Sequence, residues 1–141
     1  MMRVGNIEAK PGERAFGYLG EEIKGRSGLS AQIPVHVVAG AEPGPTLYLQ
    51  GAIHGAEIIG SIAILDFLGK VDPTQIRGNV IAVPVVNRAG FELGERGSRI
   101  DGKDISRLLP GNPNGSIFTK LESPLAMTYS PRPSPAKYHR R

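Results

Sequence analysis

Apolar residues along the chain fall first into strand-like runs, then into helical spacing, then into a strand again. The run IPVHVV, Ile33 to Val38, is β-branched, AGAEPGP punctuates it with Gly and Pro, and TLYLQG from Thr46 reads as a second strand. These two strands are expected to form an antiparallel pair. After the Gly-bracketed turn GAIHGAE, the segment EIIGSIAILDFLGK places Ile58, Ile62 and Leu65, with Ile59 and Ala63, at helical spacing and ends near Gly69. This predicts a helix with a broad buried face. VDPTQIRG then connects to NVIAVPVV, Asn79 to Val86, an apolar strand of the kind buried on both faces, with Pro84 tolerable only near its end or at an edge. Strand, helix and strand make a βαβ unit, and a right-handed crossover brings the C-terminal ends of its parallel strands to one rim of the sheet.

Ligands of open α/β sheets bind at that rim. The segment leaving the first parallel strand carries His54 and Glu57, and the one leaving the second begins with Asn87 and continues through Arg99, Asp101, Asp104 and Arg107. His54, Glu57, Asn87 and Arg99 are therefore expected to face one cleft. Six glycines and two prolines between Gly90 and Gly115 leave no room for a long regular element, and so long an irregular stretch inside a compact domain points to function. Before Ala31 the chain is rich in Gly and charge without a sustained period, which predicts loops with one edge strand.

Composition narrows the chemistry. With 141 residues, 40% of them hydrophobic, the chain suits one globular unit with a core. It opens without the apolar stretch of a secretory signal, and its longest apolar run, Ile58 to Leu68, is too short to span a bilayer, so the expectation is a soluble cytoplasmic protein with no membrane partner. The absence of cysteine excludes disulfides and thiolate metal sites and leaves three histidines as the nitrogen ligands. The net charge of +4 raises nucleic acid as a partner. Residues 123–141 hold Arg132, Lys137, Arg140 and Arg141 and no acid, whereas residues 1–122 carry 13 basic and 13 acidic side chains. The basicity belongs to the tail, which has no aromatic platform, so no nucleic-acid partner is expected.

His54 and Glu57 form H-x-x-E across a strand-to-helix turn, so both can converge on one point where Gly55 allows a tight bend. Zinc accepts an imidazole nitrogen and a carboxylate oxygen, and two histidines with one glutamate plus an open position form a catalytic set. The same spacing also suits a turn histidine beside an acid favoured at a helix N-terminus. Arg99 and Arg107, with Asp101 and Asp104 between them, could grip a carboxylate or steady an oxyanion while the aspartates orient them; a solvated loop with surface ion pairs is the alternative. Asn87 suits a strand terminator or turn former, His36 a strand-surface or core position, and His139 a solvated tail.

The order GAIHGAEIIGSIAILDFL, then VPVVN, then SRIDGKDISRLLPGNPNGS, preceded by IPVHVVAGAEPGPTLYLQG, resembles the succinylglutamate desuccinylase/aspartoacylase family, relatives of the zinc carboxypeptidases. The resemblance runs from Ile33 to Ser116. It implies an α/β fold, a mixed β-sheet with flanking helices like that of the zinc carboxypeptidases, and zinc as cofactor held by His54 and Glu57. Arg99 would polarise the scissile carbonyl as the catalytic arginine, and Arg107 would bind a substrate carboxylate, with Asn87 and Ser106 in the same substrate-binding set. The family's usual Asn-Arg pair stands here as Ser106-Arg107. The implied activity is a zinc-dependent deacylase cleaving an amide or ester of an N-acyl amino acid or similar carboxylate; the alternative from another class is a non-catalytic domain binding a small carboxylate or a partner chain. The family's third ligand, a histidine, its general-base glutamate and its small β domain are not recognisable after Ser116, where Pro124, Pro131, Pro133 and Pro135 interrupt regular structure. The expectation is thus a partial catalytic domain over residues 1–122, truncated after its first half and impaired in activity. A basic Pro-rich disordered tail over residues 123–141 would follow it, and an exposed sheet edge would favour self-association.

Overall fold

The structure, a computed structural model, describes residues 1–20, 32–97, 102–108, 112 and 114. Six strands and two helices follow in the order β1 (Met2–Val4), β2 (Ile7–Ala9), β3 (Glu13–Leu19), β4 (Ile33–Ala39), β5 (Glu42–Gln50), α1 (Ile59–Lys70), β6 (Arg77–Val83) and α2 (Arg88–Leu93). A 3-10 turn spans Ile105–Arg107. The main sheet runs β3-β4-β6-β5, antiparallel except for the parallel β5–β6 pair joined through α1.

The expected βαβ unit is present, and its strands end in register, Gln50 opposite Val83. Strands β4 and β5 do not pair with each other, contrary to the antiparallel pair expected from their adjacency in sequence. Strand β6 lies between them, pairing His36 with Ala82 on one side and Leu49 with the same Ala82 on the other. The N-terminal region is also more regular than expected, since β1 and β2 form a hairpin and β3 a full edge strand.

Alternation along β4 and β6 sends side chains to two cores. Val35, Val37, Ile81 and Val83 pack with Val4, Ile7 and Ala9 of the hairpin, while Val38, Val80 and Ala82 pack with Ile64 and Leu68 of α1. Burial of both faces explains why β6 is continuously apolar from Val80 to Val83. Helix α1 buries Ser61, Ile64 and Leu68, whereas Ile58, Ile59, Ile62, Ala63 and Leu65, expected on its buried face, are exposed. The helix is apolar nearly all round, so spacing could not select the face. Ser61 takes an inner position because its hydroxyl donates to Pro84 O at 2.7 Å. At the other end Arg14 Nη1 donates to Leu68 O at 3.1 Å and Nη2 to Val71 O, so a cation from β3 meets the helix C-terminus. Among the described residues no helix is long and apolar enough to cross a membrane.

Candidate metal site at the sheet rim

The loops leaving β5 and β6 remain bonded beyond the sheet. Gly51 N donates to Val83 O at 2.9 Å, Val86 N to Gly51 O at 3.0 Å and Asn87 N to Ala52 O at 3.0 Å. Ala52, 4% exposed, has φ 46, the left-handed region that a residue with a Cβ disfavours; these bonds hold it there. Glu57 N donates to His54 O at 3.0 Å, a turn that folds the glutamate back beside the imidazole two residues before α1 begins.

Glycine at position 55 is required by proximity. A Cβ there would stand 2.0 Å from Gly90 C and 2.2 Å from Phe91 N, because the H-x-x-E loop lies directly on the backbone of α2. Ala56 N completes the contact by donating to Glu95 O at 3.2 Å.

His54 is 9% exposed and has a carboxylate at each ring nitrogen. Nδ1 lies 3.0 Å from Glu57 Oε1, and Nε2 lies 3.2 Å from Asp104 Oδ1. A neutral imidazole has a single N–H, so two carboxylates leave one of these contacts needing a proton or a metal cation between nitrogen and oxygen. Asp104 is itself fixed: Ser106 N donates to its Oδ1 at 3.1 Å and Ser106 Oγ at 2.7 Å, in the cap of the 3-10 turn. The Ser106 hydroxyl holds the Asp104 carboxyl below the usual carboxylate range, with the Ser106 N–H and His54 acting the same way and desolvation opposing them. With the proton on Nε2, Asp104 accepts it and the Nδ1 lone pair faces Glu57's side, the orientation that a carboxylate imposes on a metal-binding histidine.

The pair suits a metal by ligand type and nearly by distance, since bonds of about 2.0–2.2 Å at a tetrahedral angle set two zinc ligands about 3.4 Å apart. Among the described residues no group of three His, Asp or Glu is placed to hold a metal ion. Glu57 also lines a cavity of 690 Å³ between Gln50 to Ile53, at the end of β5 and in the loop after it, and Ala56 to Gly60, the segment that leads into α1.

The other sequence-selected residues divide. Asn87, placed from sequence in the substrate-binding set and facing the cleft, has no exposed surface. Its Oδ1 accepts from Gly90 N at 2.9 Å, and its Nδ2 faces Arg96 O and Gly97 O at 3.4 Å each, so it organises the loop rather than presenting an amide to a ligand. Ser106 is exposed and engaged with Asp104, and Arg107 is held at the same carboxylate, its Nε 3.7 Å from Asp104 Oδ2. Arg99, Asp101 and His139 lie outside the described residues. His36 sits half-buried in β4 with its ring 4.7 Å from that of Phe16. Two participants were not assigned these roles from sequence. Asp104, expected to orient arginines, reaches His54 across 50 residues, and Arg96 lies beside both Glu57 and Asp104 with no motif to mark it. The D-I-S spacing signals the capped turn, but no local signal gives the long-range contact.

Comparison with known proteins supplies the context. The succinylglutamate desuccinylase/aspartoacylase catalytic domain matches residues 43–131. The N-alpha-acetyl-L-2,4-diaminobutyric acid deacetylase of Halomonas elongata is 37% identical over 92 residues, 65% of this chain and 27% of that protein. The crystal structure of a succinylglutamate desuccinylase/aspartoacylase from Rhodobacter sphaeroides is 32% identical with a TM-score of 0.73, covering 87% of this chain and 37% of that one. The product-bound ectoine utilization protein EutE (DoeB) of Ruegeria pomeroyi is 28% identical with a TM-score of 0.69, covering 86% and 36%. This chain thus spans well under half the length of each relative. With H-x-x-E on the loop after β5, Asp104 behind it and a family match over most of its length, the chain belongs to the succinylglutamate desuccinylase/aspartoacylase catalytic-domain family.

Proposed function

We propose that this chain carries the His54–Glu57 part of a zinc-dependent deacylase that hydrolyses the amide or ester bond of an N-acyl amino acid or similar carboxylate. The observation that carries the reading is the 3.0 Å convergence of His54 Nδ1 and Glu57 Oε1 at the sheet rim, with Asp104 fixing the opposite nitrogen. Bound zinc supplies Lewis acidity toward an acyl carbonyl and toward water. Asp104 sets the imidazole's tautomer and raises its basicity as a ligand. Arg107, with its side chain 82% exposed and its backbone N–H donating to Asp104 O, meets the substrate carboxylate, and Arg99 steadies the oxyanion. Asn87 acts through the loop it holds, and the cavity beside Glu57 receives part of the acyl compound.

The name of the Halomonas relative, an N-alpha-acetyl-L-2,4-diaminobutyric acid deacetylase, supports a small N-acyl amino acid as substrate class. Among the described residues two candidate ligands come together where a catalytic zinc normally has three, so this chain is expected to hold zinc weakly and to turn over slowly. The test is hydrolysis of N-acetyl and N-succinyl amino acids by this chain at high protein concentration, with zinc and after chelation. A slow zinc-dependent rate that Glu57→Gln removes supports the deacylase. Undiminished binding of an acidic ligand after chelation, with no zinc-dependent hydrolysis, would instead establish a binding domain.

A further inference from the structure

Arg96 stands against both carboxylates that flank His54. Its Nη1 lies 3.6 Å from Glu57 Oε1, the oxygen that also faces His54 Nδ1 at 3.0 Å, and its Nε lies 3.9 Å from Asp104 Oδ2. The backbone beneath it is fixed, for the Arg96 carbonyl faces Nδ2 of the fully buried Asn87, and the carbonyl of the preceding Glu95 accepts from Ala56 N. The side chain itself is 67% exposed. A fixed root with a solvated head is the construction of a displaceable counter-ion.

We propose that Arg96 is a rival cation for Glu57: its guanidinium neutralises the Glu57 and Asp104 carboxylates and is displaced into solvent when a divalent metal engages His54 and Glu57. The inference rests on the metal reading above and adds to it a residue that tunes metal affinity. Both Arg96 contacts exceed hydrogen-bond length, so departure gives up a screened ion-pair attraction and no donor–acceptor bond. A dication arriving at Glu57 repels a guanidinium held a few ångströms away, and the exposed side chain can relieve this by rotating outward. Arg96 therefore keeps the two carboxylates from repelling one another around His54, at the expense of metal affinity.

The test is calorimetric titration of zinc into the 141-residue chain and into Arg96→Gln and Arg96→Lys, with Glu57→Gln as the reference without a site. Arg96→Gln is expected to bind zinc roughly two- to fivefold tighter than the parent, the range that exposed ion pairs span. Arg96→Lys keeps the charge and should match the parent, and the advantage of Arg96→Gln should shrink as salt is raised. Equal or weaker zinc affinity in Arg96→Gln, or Arg96→Lys binding as tightly as Arg96→Gln, overturns this proposal and leaves the metal site standing. No zinc binding by any of the proteins overturns both. An independent readout is the Arg96 Nε–Hε resonance, assigned by its loss in Arg96→Gln; it should move on zinc addition, and a resonance unmoved at saturating zinc overturns displacement.

Discussion

Substituting Gly55 by alanine would place a Cβ 2.0 Å from Gly90 C, 2.2 Å from Phe91 N and 2.3 Å from Gly90 O. All three are backbone atoms and cannot rotate away, and ordinary contact begins at 3.4 Å, so α2 and the H-x-x-E loop must separate by more than an ångström. Overpacking of this kind costs about 1–3 kcal/mol, and contact with backbone puts Gly55→Ala toward the upper end. The separation also pulls on the Ala56 N to Glu95 O bond and carries Glu57 away from the segment holding Arg96. For a domain of this size each kcal/mol moves the melting temperature by roughly 3–6 °C, so a fall on the order of 10 °C is expected. Gly69→Ala is the matched control, because it lies in α1 with nothing within 4 Å of an added Cβ. There the gain in helix propensity should stabilise by about 0.5–1 kcal/mol. Thermal and urea unfolding followed by far-UV circular dichroism reads both variants. Gly55→Ala melting at the parent temperature, with an unshifted His54 imidazole resonance, would refute the packing argument.

Three further outcomes follow from other parts of the fold. Arg14→Ala removes the cation at the C-terminus of α1 and should cost about 1 kcal/mol in urea denaturation; an unchanged midpoint would deny Arg14 that role. Burial, helped by Arg14, holds the His36 pKa below its ordinary 6.5. The unfolded chain then binds the extra proton first, so this contribution to stability is complete above pH 6.5 and is lost as pH falls through the depressed folded value. His36→Gln should flatten the acid-side slope of stability against pH, and identical slopes would contradict the assignment. Among the described residues strand β5 is a sheet edge, with Pro43 and Pro45 at its start and Leu47 47% exposed, so weak concentration-dependent association in sedimentation velocity is expected. Leu47→Lys should reduce it, and association unaffected by that change would locate the contact elsewhere.

The parts of the fold that could be read from sequence are those whose causes are local. β5, α1 and β6 follow one another, each carries a dense apolar run, and a right-handed crossover leaves one arrangement for them, which placed His54 and Asn87 at the same rim. Strand order was harder, because β4 and β5 are neighbours in the chain while β6, arriving later, separates them. Strands β1 and β2 have three residues each, too few for alternation to register, and β3 leaves Phe16 and Tyr18 exposed, so hydrophobicity there does not report burial. In the site, H-x-x-E was legible as a spacing, whereas the Asp104–His54 contact depends on how the 3-10 turn returns to the rim. Asn87, expected in the substrate-binding set, caps α2 through Gly90 N and is buried beneath the 90–97 segment, a placement that its residue type suggests and its spacing does not.

The most direct test of the account is zinc binding by the 141-residue chain beside His54→Ala, Glu57→Gln and Asp104→Asn, measured by titration and by metal content after gel filtration. One equivalent of zinc is expected, held weakly, lost with His54→Ala or Glu57→Gln, and weakened roughly tenfold or more in Asp104→Asn, as for other residues that orient a metal-binding histidine. Zinc bound as well by His54→Ala and Glu57→Gln as by the parent chain, or no zinc bound by the parent at all, would contradict a metal site at the rim.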